Sequence, residues 1–171
     1  WSSFSIGAGN TVIFQQPNAA SVAINRVIGN SRSEIFGSLQ SNGQIFLLNQ
    51  NGILFGKNAE VNVGGLLATT ASNIVQGNNG QWLLSGLSSS TVVNQANIKA
   101  KDGSYIVLAG RQVDNTGSLV ANGGSVSMAA GEKVSITLDG NSLVAVQVDE
   151  ATVKALVTNG GLIQADGGSV Y

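Results

Sequence analysis

Residues 41–70 read SNGQIFLLNQNGILFGKNAEVNVGGLLATT. Three apolar runs lie in this stretch, at 45–48, 53–55 and 59–63, and each is too short to be a helix. Asn and Gly bound every run. The last alternates, with Ala59, Val61 and Val63 on one side of Glu60 and Asn62, which is the period-2 pattern of a half-buried strand. Asn49, Asn51, Gly52, Gly56 and Asn58 fill the gaps, and these residue types tolerate the backbone of a tight corner. The stretch reads as strand, corner, strand, corner, strand.

A longer period lies over the short one. Gly43 and Gly64 are 21 residues apart, and Ile45 and Leu66 share that offset. The interval returns downstream. Asn94 and Asn115 are 21 apart and Asn159 follows at 44, close to two periods; Ala100, Ala121 and Ala165 keep the same spacing, as do Ser104, Ser125 and Ser169. A fixed period of this length marks a solenoid, in which each repeat buries its apolar face only by stacking on the next. The pattern predicts an all-β chain, a right-handed parallel β-helix of coils of about 21 residues. Roughly seven coils would make a rod ~30–35 Å long.

Two segments interrupt the period. Residues 74–84 place Gly77-Asn78-Asn79-Gly80 between two apolar runs and predict an antiparallel hairpin standing off the solenoid. Residues 134–148 place Asp139-Gly140-Asn141 between alternating runs and predict a second hairpin excursion. Residues 149–157 are read as a short helix, with Val153, Leu156 and Val157 on one face and Glu150 and Lys154 four apart.

Composition bounds the function. Of 171 residues, 43% are hydrophobic and 10% charged, against a usual ~25% charged; 23 are Gly, and mean hydropathy is +0.20. That hydrophobicity argues against disorder. The 8 Lys and Arg and 9 Asp and Glu are scattered singly, so no basic patch is present to neutralise phosphates, and nucleic acid is not an expected partner. No apolar run is long enough to span a bilayer as a helix. With no His there is no imidazole for a triad or a metal, and with no Cys there is no disulfide. The acids Asp102, Asp114, Asp139, Asp149 and Asp166 are spread over separate corners and lack the paired or clustered arrangement that glycosidic or Ca²⁺-dependent lyase chemistry needs. Neither catalysis nor a cofactor is expected. Trp82 and Tyr105 could stack on sugars, but are read as core or hairpin packing.

The run Asn49-Gln50-Asn51-Gly52-Ile53 resembles the Asn-Pro-Asn-Gly-Ile motif of the amino-terminal secretion domain of filamentous-haemagglutinin-like two-partner-secretion exoproteins. The flanking GQIFLLN, ILFG and VNVGGLLATT are similar to the same family block, as are WSSFSIG at 1–7 and Gln16, Pro17 and Asn18 with Asn25, Arg26 and Val27. Gln50 stands where the motif has proline, so that corner lacks the ring's rigidity.

The resemblance implies a non-catalytic domain that directs a large exoprotein to an outer-membrane transporter built of periplasmic receptor domains and a β-barrel. It implies secretion through the periplasm of a Gram-negative bacterium to the medium or cell surface, with the first coils nucleating folding. Asn49, Gln50, Asn51, Gly52 and Ile53, with Gln16, Pro17 and Asn18, are the candidate recognition residues. Beside this stands the plainer reading of each group as a corner whose side chains bond the backbone. The chain is read as a single domain over 1–171. The resemblance implies capping strands before Trp1, so the cap is expected to be missing or supplied from elsewhere. Because Tyr171 falls inside a repeat, further coils are expected after it. A direct carbohydrate- or host-surface-binding adhesin module is the alternative function.

Overall fold

The computed structural model describes residues 1–150 and 154–171 and builds the chain coil by coil. The first coil holds β1 (Thr11–Phe14), β2 (Val22–Val27) and β3 (Ser33–Ile35), and the second β4 (Ser38–Ser41), β5 (Gln44–Asn49) and β6 (Ile53–Phe55). The third opens with β7 (Glu60–Val63) and β8 (Gly65–Thr69), detours through β9 (Ala71–Gln76) and β10 (Gln81–Leu87), and closes with β11 (Thr91–Asn94). The fourth is β12 (Asn97–Ala100), β13 (Tyr105–Gly110) and β14 (Gln112–Asn115). The fifth is β15 (Ser118–Val120) and β16 (Ser125–Ala130), a detour through β17 (Lys133–Asp139) and β18 (Ser142–Glu150), and then β19 (Leu156–Asn159). A sixth coil carries β20 (Leu162–Gln164) and β21 (Ser169–Val170).

Equivalent strands stack into three parallel sheets: β1-β4-β7-β12-β15-β20, β2-β5-β8-β13-β16-β21 and β3-β6-β11-β14-β19. This is the predicted parallel β-helix, with six coils among the described residues rather than seven. First and last strands of a six-stranded sheet are thus roughly 24 Å apart. The interior is made of columns. Leu39, Val61, Ile98 and Leu119 lie one above another in the first sheet, and Ile45, Leu66, Ile106 and Val126 in the second, all fully buried. Each such side chain contributes ~1.5–3 kcal/mol of burial before chain entropy is subtracted.

The two detours pair with each other. β10 bonds antiparallel to β9 on one side and to β17 on the other, and β17 to β18, giving a four-stranded sheet in the order β18-β17-β10-β9. The first hairpin therefore does not stand off the solenoid. Trp82, Leu84, Val134, Ile136, Leu138 and Leu143 pack on Phe46, Leu48, Leu67, Tyr105 and Val107, which line the outer face of the second parallel sheet. The antiparallel sheet is a flap over that face, and it creates a second core.

Three further expectations meet the structure. The Asn column holds: Asn94 Nδ2 donates to Asn115 Oδ1 at 2.8 Å, and Asn115 Nδ2 to Asn159 Oδ1 at 2.7 Å. The serine column holds only in its later half, because Ser125 pairs with Ser169 but with Tyr105 rather than Ser104. Between the register pairs Lys99–Val120 and Tyr105–Ser125 the fourth coil has one residue more than the fifth, which moves Ser104 out of line with Ser125. The helix at 149–157 is corrected at both ends: Asp149 and Glu150 end β18, and Leu156 and Val157 in β19 pair with Gln112 and Val113. Ladder bonding overrides the weak helical period; residues 151–153 lie outside the described residues. Among the described residues no helix is long and apolar enough to cross a membrane.

Candidate functional site

Asn49 closes β5 fully buried, and its side chain organises the corner that follows. Its Nδ2 donates to Ser31 O and Ser33 Oγ, both at 3.0 Å. Its Oδ1 accepts from the Asn51 amide at 2.9 Å and from Asn51 Nδ2 at 3.1 Å. The Gly52 amide donates to Asn49 O at 3.1 Å and closes a turn. Neither Gln50 nor Asn51 has a positive φ, whereas Gly52 sits at +98°. Asn at the first position and Gly at the fourth suit a type I turn, whose second position accepts proline, so Gln50 occupies a place that either residue can fill.

The surroundings fix this corner from both sides. A Cβ on Gly52 would lie 3.0 Å from Thr91 O, so a neighbouring coil already occupies the space of a side chain. Gly52 O accepts from the Ser33 amide at 3.0 Å, and Ile53 begins β6 with Ser33 and Val92 as its ladder partners. Asn51 Nδ2 reaches back to Gly29 O at 2.7 Å, and Ser88 Oγ donates to Gln50 O at 2.6 Å. Asn49, Gly52 and Ile53 are buried; Gln50 and Asn51 are exposed. The corner thus presents two side chains on a scaffold made by the other three.

Gln16, Pro17 and Asn18 form a different corner. Gln16 is tied to the second coil by paired bonds, its amide to Asn42 Oδ1 and Asn42 Nδ2 to its carbonyl, each at 2.7 Å. Its side chain donates to Ser21 O at 2.7 Å and Gln44 O at 3.2 Å and accepts from Ser41 Oγ at 2.5 Å. A Cβ on Gly43 would meet the Gln16 side chain at 2.7 Å, so Gly43 makes room for this pin. Asn18 Oδ1 accepts from the Ala20 amide at 2.9 Å, an Asx turn that leaves Pro17 and Asn18 exposed. Ser41 and Asn42 are not singled out by the sequence reading; the signal is the SN that precedes GQIFLLN.

The two groups do not converge. Gln16 lies beside Gln44, where β5 begins, and Asn49 is where β5 ends. Five residue steps of a strand separate these corners by roughly 17 Å.

Chemistry elsewhere is sparse. Among the described residues no three His, Cys, Asp or Glu side chains gather where they could hold a metal. Asp149 accepts a bond from Ser135 Oγ, and Asp166 one from Gln164 Nε2 at 2.6 Å. Trp82 packs edge-on against Phe46, with ring centroids 5.2 Å apart. Tyr105 is fully buried and donates to Gln44 Oε1 at 2.5 Å, and burial pushes its phenol well above the ordinary value. Both aromatics belong to the flap core, as packing predicts.

Comparison with known proteins places this architecture. The family model of the TPS secretion domain matches residues 1–171. A heme/hemopexin-binding protein of Haemophilus influenzae is 39% identical over 176 aligned residues, which take in 96% of this chain and 19% of that protein. A second heme/hemopexin-binding protein of Haemophilus influenzae is 53% identical over 70 residues, 41% of this chain and 8% of that protein. The chain therefore spans less than a fifth of the curated relatives it matches. The crystal structure of the HMW1 secretion domain from Haemophilus influenzae superposes with a TM-score of 0.87 at 33% identity, covering 99% of this chain and 46% of that one.

Proposed function

Because the chain belongs to the TPS secretion-domain family, we propose that it is the export-targeting and folding-nucleation domain of a large, adhesin-like exoprotein, recognised by a dedicated outer-membrane transporter. The observation that carries this reading is the corner at residues 49–53. Its buried members are fully bonded to neighbouring coils, while Gln50 and Asn51 are held outward on that frame. The Asn51 side chain is fixed by its bonds to Gly29 and Asn49, so a receptor pays little ordering entropy to bind it, and Gln50 stands exposed beside it. The role is non-catalytic, and the exposed Pro17 and Asn18 turn offers a second contact at the opposite end of β5.

Folding nucleation follows from the direction of the corner's bonds. Asn49 and Asn51 reach back to Ser31, Ser33 and Gly29, so most of the corner is complete once residues up to 53 have emerged. Ser88 and Thr91 close over it afterwards. Each finished coil then offers an open parallel edge to the next, which lets a chain delivered amino terminus first fold without an added energy source.

Export from a Gram-negative host, with and without the cognate transporter, tests the reading. Wild-type chain is expected in the medium only when the transporter is present. Asn51→Ala removes the bond to Gly29 and should cost ~1 kcal/mol of stability, while lowering export beyond what that loss accounts for. Transporter-independent release, or export falling only in step with stability, would leave residues 49–53 as a corner and nothing more.

A further inference from the structure

The outer face of the first parallel sheet carries a groove of about 720 Å³ on a different side of the molecule from the flap. It crosses the strands from β1 to β12, roughly 14 Å at three inter-strand steps. Gln40 and Asn62 lie in register on its floor, and Lys99 continues the row. Lys101 stands at the corner, its Nζ donating to Asn42 O at 3.3 Å. At the far end Ile13, 61% exposed, supplies an apolar wall.

The charge in this groove is unbalanced. No acidic side chain lines it, and among the described residues neither Lys99 nor Lys101 has a carboxylate within ion-pairing distance. Glu60 lines a smaller adjoining hollow that shares Asn62 and Lys99 with the groove, and it makes no ion pair with Lys99. Two ammonium groups, a row of side-chain amides and one apolar wall match a ligand with carboxylate or sulfate groups, many hydroxyls and a compact ring face. The geometry points to a binding site for a short acidic oligosaccharide lying across β1, β4, β7 and β12. An acidic peptide is the poorer match. β4, β7 and β12 spend their amides and carbonyls on the parallel ladders, so a peptide lying across them would bind through side chains alone, and only β1, the first strand of the sheet, keeps an open edge.

Calorimetric titration of the chain with trigalacturonate, sialyllactose and a heparin-derived tetrasaccharide tests this, with methyl-esterified trigalacturonate, maltotriose and tetraglutamate as comparisons. At least one acidic glycan should bind ten-fold or more tightly than its neutral counterpart. Combining Lys99→Gln with Lys101→Gln should weaken that binding at least ten-fold, and Lys57→Gln, an exposed lysine outside the groove, should leave it unchanged. Should the double variant melt early, Asn62→Asp keeps both lysines, places an acid on the floor and should weaken binding likewise. Transporter-dependent export of these variants should be normal, which separates this site from the targeting role. Equal binding of neutral glycans, equal loss in Lys57→Gln, tetraglutamate binding as tightly as any glycan, or no acidic glycan binding at millimolar concentration would each overturn the proposal.

Discussion

Gln44 joins three distant parts of the chain through one buried amide. Its Nε2 donates to Ala20 O at 3.2 Å and Gly140 O at 2.9 Å, and its Oε1 accepts from Tyr105 at 2.5 Å, linking the first coil, the tip of the second hairpin and the fourth coil. Tyr105→Phe strands a buried acceptor and should cost about 1–3 kcal/mol, read as a lower urea midpoint at neutral pH. The same pair sets an alkaline limit. Burial raises the Tyr105 phenol above its unfolded value of about 10, so its neutral form stabilises the fold below that pH, and the stability is lost as pH rises beyond it. The wild-type midpoint should fall in that range more steeply than that of Tyr105→Phe; parallel declines would exclude Tyr105 as the cause. Little of this was legible in the sequence, where Gln44 is simply the polar residue before IFLL. Asn49 was legible, because Asn and Gly at fixed offsets require a turn whatever the tertiary contacts. Its bonds to Ser31 and Ser33 were not, because they depend on which coil lies alongside.

Strands of the solenoid differ in how many faces they bury, and the sequence records the difference. β7 and β12 alternate buried and exposed residues, as a sheet with one wet face requires. β5 and β13, QIFLLN and YIVLAG, are buried at every position, because the flap covers the outside of their sheet. Those unbroken runs were the sign that something packs on the second sheet. The hairpins were legible from Gly77, Gly80 and Asp139-Gly140, but their mutual pairing joins residues around 82 to residues around 136, and no local pattern encodes that. Trp82→Ala distinguishes a flap from a free-standing hairpin. Removing an indole packed on Phe46 should cost about 3–5 kcal/mol in urea unfolding. A loss within about 0.5 kcal/mol is what an exposed hairpin would show, and would separate the flap from the core.

A solenoid couples each coil only to its neighbours, and damage to one is expected to stay local. The flap changes that for the whole molecule. Strands β10 and β17 lie over side chains from the second coil (Phe46, Leu48), the third (Leu67), the fourth (Tyr105, Val107) and the fifth (Ala129), and Gly140 is bonded to Gln44 across 96 residues. The period of 21 revealed the stacking but not this cross-link, since stacking repeats and the flap occurs once. Val126→Asp tests the coupling. Val126 is fully buried between Ile106 and Val170, so an unpaired charge there should cost about 4 kcal/mol or more. It lies close before β17 in the chain, so disorder in the fifth coil unseats the flap. Hydrogen exchange should then show protection lost in the fourth to sixth coils and also in β5, three coils away, where Phe46 and Leu48 lose their cover. Protection retained in β5 while the later coils exchange freely would mean that the coils act independently and the flap adds area without cooperativity. Loss in both places would make the second hairpin the element that completes the fold, so that the early coils keep an apolar face open until residues 133–150 have folded onto it.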